Sequence, residues 1–182
     1  GGYTAAALKA ANFTAAQLKA GGFVAKQLKI VGFTPDELKA NGFSAGELRE
    51  GTFAAKDIKY LFTVMEMRLA AFSAKQMKNA DYTLAELKSG EYPAVELKEA
   101  NYGGTEMRKA GFGAMELKVA GYSGSEMRIA GFTAAEMRDA GFSAKKLKLA
   151  AYSAAETTAA GWAVDVLKGA GYTADDLRTA NH

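Results

Sequence analysis

The chain has 182 residues, 49% hydrophobic and 24% charged, with 23 basic and 20 acidic side chains leaving a net charge of +3. That composition is ordinary for a folded domain, and the near-neutral balance gives no strong pull toward nucleic acid or an anionic membrane. Cysteine is absent, which rules out disulfides. No apolar run approaches the ~18 residues that a membrane-spanning helix requires.

In chain order the sequence is one unit repeated. Aromatic residues stand at Tyr3, Phe13, Phe23, Phe33, Phe43, Phe53, Phe62, Phe72, Tyr82, Tyr92, Tyr102, Phe112, Tyr122, Phe132, Phe142, Tyr152, Trp162 and Tyr172. Every spacing is ten except the nine between Phe53 and Phe62, so eighteen repeats form a single array over residues 1–182. With the aromatic as position 0, the unit reads Phe, Thr/Ser, Ala, variable, Glu, Leu/Met, Lys/Arg, variable, Ala, Gly. The one-residue deletion near 60–62 is the only break in phase, and a local kink is expected there. The chain opens Gly1-Gly2-Tyr3, with no initiating Met and no signal-peptide pattern. Both ends lie near repeat boundaries, which suggests a segment of a longer or processed chain.

Each unit carries the signals of one short helix. In the repeat beginning at Phe132, Thr133 is a good N-cap and Glu136 lies three residues on, which makes a capping box. Phe132 and Met137 then occupy the two positions of a hydrophobic staple. Gly141 follows the last turn, where a left-handed residue closes a helix, and Phe142 can pack back on Met137. Pro35 falls at the first helical position, where proline is tolerated. Asn12, Asp81, Asn101 and Asn181 replace the terminal glycine with residues that tolerate the left-handed region. Val24, Ala54, Pro93 and Ala163 lack the capping hydroxyl, and their helices should fray. A helix this short does not persist alone in water. The units must therefore stack, with positions 0 and 5 and the alanines at 2 and 8 lining a continuous core. The sequence leaves the number of helices per superhelical turn open.

This pattern resembles α-solenoid repeat proteins in general, and implies an all-α solenoid of about eighteen short, two-turn capped helices. Parsed in fives, the chain also resembles the pentapeptide-repeat family, a right-handed quadrilateral β-helix with inward Phe and Leu. That alternative would bury Lys26, Asp36, Lys56, Lys75, Lys145, Asp165 and Asp175 unpaired, which is prohibitive.

Nothing unique enough for catalysis stands out. His182, the one histidine, lies at the chain end in an aromatic slot, and the glutamates at position 4 are explained by capping. The methionines at position 5 exchange with leucine as core filling. The expectation is therefore no enzyme, no cofactor, no metal, no small-molecule substrate and no membrane insertion. Two surface rows remain. Position 6 is basic in nearly every repeat, with Arg108, Lys118, Arg128, Arg138 and Lys148 along the later part, and only Thr158 breaks the row. Such a stripe could track a polyanion, or could serve helix C-termini and neighbouring glutamates. Positions 3 and 7 vary most and share a helix face. Ile30, Met65, Leu69, Val95, Met115, Val119, Ile129 and Leu149 make that face partly apolar, as contact with a protein partner or between successive turns would require. The leading expectation is a structural scaffold, a rod or fibre building block with possible self-association. The alternatives are a protein- or peptide-binding solenoid and a polyanion or nucleic-acid binder.

Overall fold

A computed structural model describes residues 2–180; Asn181 and His182, both singled out above, lie outside the described residues. The chain divides into two compact units, Gly1–Tyr92 and Pro93–His182. The first holds α1 (Ala5–Ala10), α2 (Ala15–Ala20), α3 (Ala25–Ile30), α4 (Pro35–Ala40), α5 (Ala45–Glu50), a 3-10 helix (Ala55–Ile58), α6 (Val64–Leu69), α7 (Ala74–Asn79) and α8 (Leu84–Ser89). The second holds α9 (Ala94–Glu99), α10 (Gly104–Lys109), α11 (Ala114–Val119), α12 (Gly124–Ile129), α13 (Ala134–Asp139), α14 (Ala144–Leu149), α15 (Ala154–Ala159), α16 (Val164–Gly169) and α17 (Ala174–Thr179). Among the described residues there is no strand. The charges that argued against the β-helix, Lys26, Asp36, Lys56, Lys75, Lys145, Asp165 and Asp175, are all exposed.

The caps decide where each helix begins and ends. At α13 the Thr133 N–H donates to Glu136 Oε2 (2.6 Å) and the Glu136 N–H donates to Thr133 Oγ1 (3.2 Å). At its far end the Phe142 N–H donates to the Met137 carbonyl (3.0 Å) and the Gly141 N–H to the Arg138 carbonyl (2.7 Å). These are the two bonds of a Schellman motif, and they satisfy carbonyls that a helix end otherwise leaves orphaned. Each α-helix is six residues, about 9 Å long. Val24, Ala54, Pro93 and Ala163 make no side-chain cap bond, nor do Gly103 and Gly113. At Gly103 and Gly113 the glutamate still reaches back to the N-cap amide (both 2.7 Å), so half the box persists.

Glycine, Asn and Asp are not the only residues at the left-handed stop. Thr52, Ala71, Glu91 and Ala151 take φ values of 64°, 60°, 59° and 64°. The tertiary stack holds them there against their intrinsic preference.

In each unit a helix packs mainly on the helix two repeats further on: α3 on α5 and α6 on α8 in the first, α10 on α12 and α15 on α17 in the second. Two repeats therefore make one turn. The side chain at position 5 points into the centre, and Leu28, Leu48, Met77, Met107, Met127 and Leu147 are fully buried. Positions 2 and 8 form the seam between successive turns, with small residues in both places. A Cβ on Gly124 would stand 3.1 Å from Ala150 Cβ, and one on Gly51 would stand 2.8 Å from Ala25 Cβ.

The phase break is absorbed inside one repeat. Lys59 leaves the helix at ψ 137°, Tyr60 turns left-handed at φ 70°, and the Leu61 N–H donates to the Ile58 carbonyl (3.1 Å). One tight turn replaces the Schellman closure. The 3-10 helix still packs on α4 and on α7, so two-repeat stacking passes through the deletion.

Candidate interaction surfaces

The cationic row at position 6 is built into the stack. Cations such as Lys19, Lys29 and Lys118 reach forward to the end of the helix two repeats on and to the aromatic that follows it. Lys19 Nζ donates to the Gly42 carbonyl (2.7 Å) and lies 4.5 Å from the centre of the Phe43 ring. Lys29 does the same with the Thr52 carbonyl (2.7 Å) and the Phe53 ring (4.4 Å). In the second unit Lys118 donates to the carbonyls of Ala140 and Gly141 (both 2.8 Å), and Arg138 to that of Ala160. Arg108 and Arg128 sit over Phe132 and Tyr152 (both 4.4 Å), and Lys148 lies over Tyr172 (5.0 Å). These carbonyls form the negative end of a helix, so the cation is placed where both the dipole and the ring face favour it.

The carboxylate partners are equally distant in sequence. Lys19 pairs with Glu47 (2.7 Å), Arg108 with Glu136 (3.3 Å) and Arg128 with Glu156 (3.2 Å), each twenty-eight residues apart. Pairs between near neighbours are also present, for Arg138 with Asp139 (3.0 Å), Lys168 with Asp165 (3.8 Å) and Arg178 with Asp175 (3.4 Å). Arg108, Lys118, Arg128 and Lys148 are half-buried, and Arg138 is exposed.

The capping carboxylates feel this environment. At Glu66 and Glu126 the backbone N–H of the N-cap, then its hydroxyl, holds the carboxyl below its ordinary pKa. At Glu86 the Thr83 hydroxyl comes first, with the backbone second, to the same effect. At Glu136 and Glu156 burial pushes upward, but the cap and the facing arginine outweigh it and the pKa is lowered.

A second ladder uses the tyrosines. Tyr92, Tyr122, Tyr152 and Tyr172 donate their hydroxyls to carbonyls twenty residues back, on Phe72, Tyr102, Phe132 and Tyr152. Burial pushes the Tyr122 phenol up to about 12. Sequence reasoning missed this ladder, since Tyr and Phe read as equivalent in the aromatic slot. Tyr82 follows the phase break, and its buried hydroxyl has no partner. The Tyr60 backbone N–H lies near enough to restrain the upward pKa shift that burial causes, yet makes no hydrogen bond to the hydroxyl.

The variable face is exposed. Ile30, Leu69, Val119, Ile129 and Leu149 at position 7 stand between 76% and 80% exposed. Val95 and Met115 at position 3 are about half exposed, and Met65 is half-buried. Ile129 and Leu149 belong to α12 and α14, which pack on each other. Open clefts recur between successive turns, one lined by Arg128, Phe132, Tyr152 and Glu156, another by Lys19, Phe23, Phe43 and Glu47. They repeat the same residue types. Among the described residues no cluster of His, Cys, Asp and Glu is arranged to hold a metal, and no helix is long and apolar enough to cross a membrane.

A helical array of ten-residue units, most of them capped and bridged to later units, is a decapeptide-repeat architecture. The family model "Decapeptide repeat region" matches residues 1–61, 62–134 and 111–182, and the chain belongs to that family. The first two matches meet at the phase break. No curated protein and no solved structure matches the chain.

Proposed function

We propose that the chain is a structural scaffold, a rod or fibre building block without catalytic activity. One observation carries this reading: the polar and charged side chains that recur in the unit are spent on capping its helices and joining one turn to the next. Glu at position 4 caps its own helix, the cation at position 6 closes a later one, and the clefts repeat one chemistry instead of holding a unique constellation. Such a design rewards repetition, as an extended element does. Light scattering over a dilution series, with circular dichroism at each step, tests it. Mass that grows with concentration at constant helicity supports the scaffold. A monomer at every concentration overturns the self-assembling form.

A second reading, a solenoid that binds a protein or peptide, is favoured by the exposed Val119, Ile129 and Leu149. It requires a saturable partner that is lost on Ile129→Asp or Met115→Asp. The polyanion alternative would draw on Arg108, Lys118, Arg128, Arg138 and Lys148, and would have to compete with their carbonyl and ring contacts. Its mark would be affinity that falls steeply with salt.

A further inference from the structure

One cleft of the second unit breaks the chemistry that the others repeat. In the recurring arrangement the cation at position 6 meets an acid twenty-eight residues on, as Lys19 meets Glu47, Arg108 meets Glu136 and Arg128 meets Glu156. Twenty-eight residues beyond Lys118 stands Lys146, the one basic residue at position 4 in the eighteen repeats. Both ammonium groups come to the same ring, 5.3 and 5.9 Å from the centre of Phe142. This turn therefore lacks one negative charge and carries an extra positive one. The fold tolerates the exchange because Lys146 is exposed and half of the α14 cap survives: the Lys146 N–H donates to Ser143 Oγ (3.4 Å), but the capping box is not closed.

The inversion lies in a cavity. A cleft of about 520 Å³ is lined by Lys118, Tyr122, Ser123, Ser125, Lys146 and Leu149 among others, and no carboxylate lines it. Clefts elsewhere in the array hold Glu156, Glu47 or Glu66. Lys118 gives two N–H groups to the carbonyls of Ala140 and Gly141 and keeps a third. Among the described residues no carboxylate pairs with the Lys146 ammonium. Glu126, on α12, is turned to the Ser123 N–H (2.6 Å), and the Ser123 hydroxyl, which accepts from the Glu126 N–H (3.2 Å), still has its proton to donate.

We propose that this cleft binds a small phosphate monoester, with its dianionic head in place of the missing carboxylate between Lys118 and Lys146 and its organic part against Leu149. Such a head carries about two negative charges at neutral pH, which matches the imbalance of the turn. Lysine binds phosphate as a point charge, the two serine hydroxyls add neutral donors, and Leu149 offers an apolar side chain that is 76% exposed. The site goes beyond the scaffold reading and does not depend on assembly, because every lining residue belongs to one unit of one chain.

Isothermal titration calorimetry at low salt, with phenyl phosphate, inorganic phosphate and benzoate as probes, tests the site. Lys146→Glu restores the recurring acid, so its fold should be at least as secure as the parent's, which a circular dichroism melt checks. Lys75→Gln removes an exposed charge of the first unit. The expected result is one saturable site per chain for phenyl phosphate, weaker binding of inorganic phosphate and weaker still of benzoate. Lys146→Glu should weaken phenyl phosphate by about tenfold or more, and Lys75→Gln should bind like the parent. Equal weakening in both variants would reduce the effect to overall charge, and unchanged binding in Lys146→Glu would place the phosphate elsewhere; either result overturns the site. So does a parent chain that shows no saturable binding of phenyl phosphate.

Discussion

Gly90 lies against Val64 with so little space that a Cβ on the glycine would stand 2.9 Å from Val64 Cβ and closer still to one of its methyl groups. The backbone of Gly90, at φ −83°, is ordinary, so the glycine answers the bulk of its neighbour and not a turn. Gly90→Ala should cost about 1–3 kcal/mol through overpacking. Adding Val64→Ala should restore most of it, because seams such as that of Gly124 and Ala150 are closed by small residues. A double-mutant cycle in urea checks the coupling, and simple additivity would refute the contact.

Arg128 has a ring and a carboxylate at once, Tyr152 at 4.4 Å and Glu156 at 3.2 Å. Arg128→Met keeps much of the stem and removes both. We expect a loss of about 1–2 kcal/mol, most of it retained in high salt, because the ring contact is less screened than an exposed ion pair. Denaturation at low and high salt measures the two shares.

The two buried phenols should respond in opposite ways. Tyr122→Phe removes a donor to the Tyr102 carbonyl and should cost about 1 kcal/mol. Tyr82→Phe removes a hydroxyl that has no partner, so stability should hold or rise by up to about 1 kcal/mol. Equal losses would mean that the Tyr82 hydroxyl is satisfied after all.

The capping carboxylates make the fold sensitive to acid. The pKa values of Glu66, Glu86 and Glu126 are lowered in the folded chain. Their contribution is therefore present above the unfolded value of about 4.3 and is lost as pH falls through the folded values. Melting temperature should drop below about pH 4.5, and less steeply when the three are changed to Gln. At the other extreme, Tyr122 is raised to about 12, so its share is complete below the unfolded value near 10 and is lost as pH climbs toward the folded one. Tyr122→Phe should remove that alkaline component.

Thr52 holds φ 64° at a helix stop, a strained conformation for a β-branched residue. Thr52→Gly should raise stability by about 0.5–1 kcal/mol, the relief of left-handed strain outweighing the added chain entropy. Thermal melts of this variant beside Gly161→Ala give the contrast. At Gly161 a Cβ would meet both φ 87° and an Arg138 nitrogen 2.5 Å away, and alanine should destabilise.

The ten-residue helix was legible because its signals are local: Thr133 with Glu136, Met137 with Phe142. The partners of the stack were not. In a strictly periodic sequence, packing on the next helix, the second or the third presents the same residue types, so periodicity cannot choose among them. Only defects in the repeat break that degeneracy. Val64 answered by Gly90 twenty-six residues on was such a mark, and it gives the two-repeat turn. The cations of position 6 were likewise placed on the correct row and at a helix C-terminus, but the terminus belongs to a helix two repeats away, which depends on the same unreadable spacing. Ala71 and Ala151 carry no sign of their left-handed backbone, since only the fold imposes it.

The tyrosine bonds span twenty residues, the ring contacts between turns about twenty-four and the longest ion pairs twenty-eight, so the bridges that lock each turn close only short loops. Closing such loops costs little chain entropy, and a nucleus can form at any turn and spread to its neighbours. The same locality governs how a unit yields under tension. Pulled from its ends, it has no clasp between distant parts of the chain among the described residues, and turns let go one after another, each releasing about 70 Å of extended chain. A force trace would show a staircase of small, similar steps, the response of a material that dissipates load gradually instead of failing at a single point.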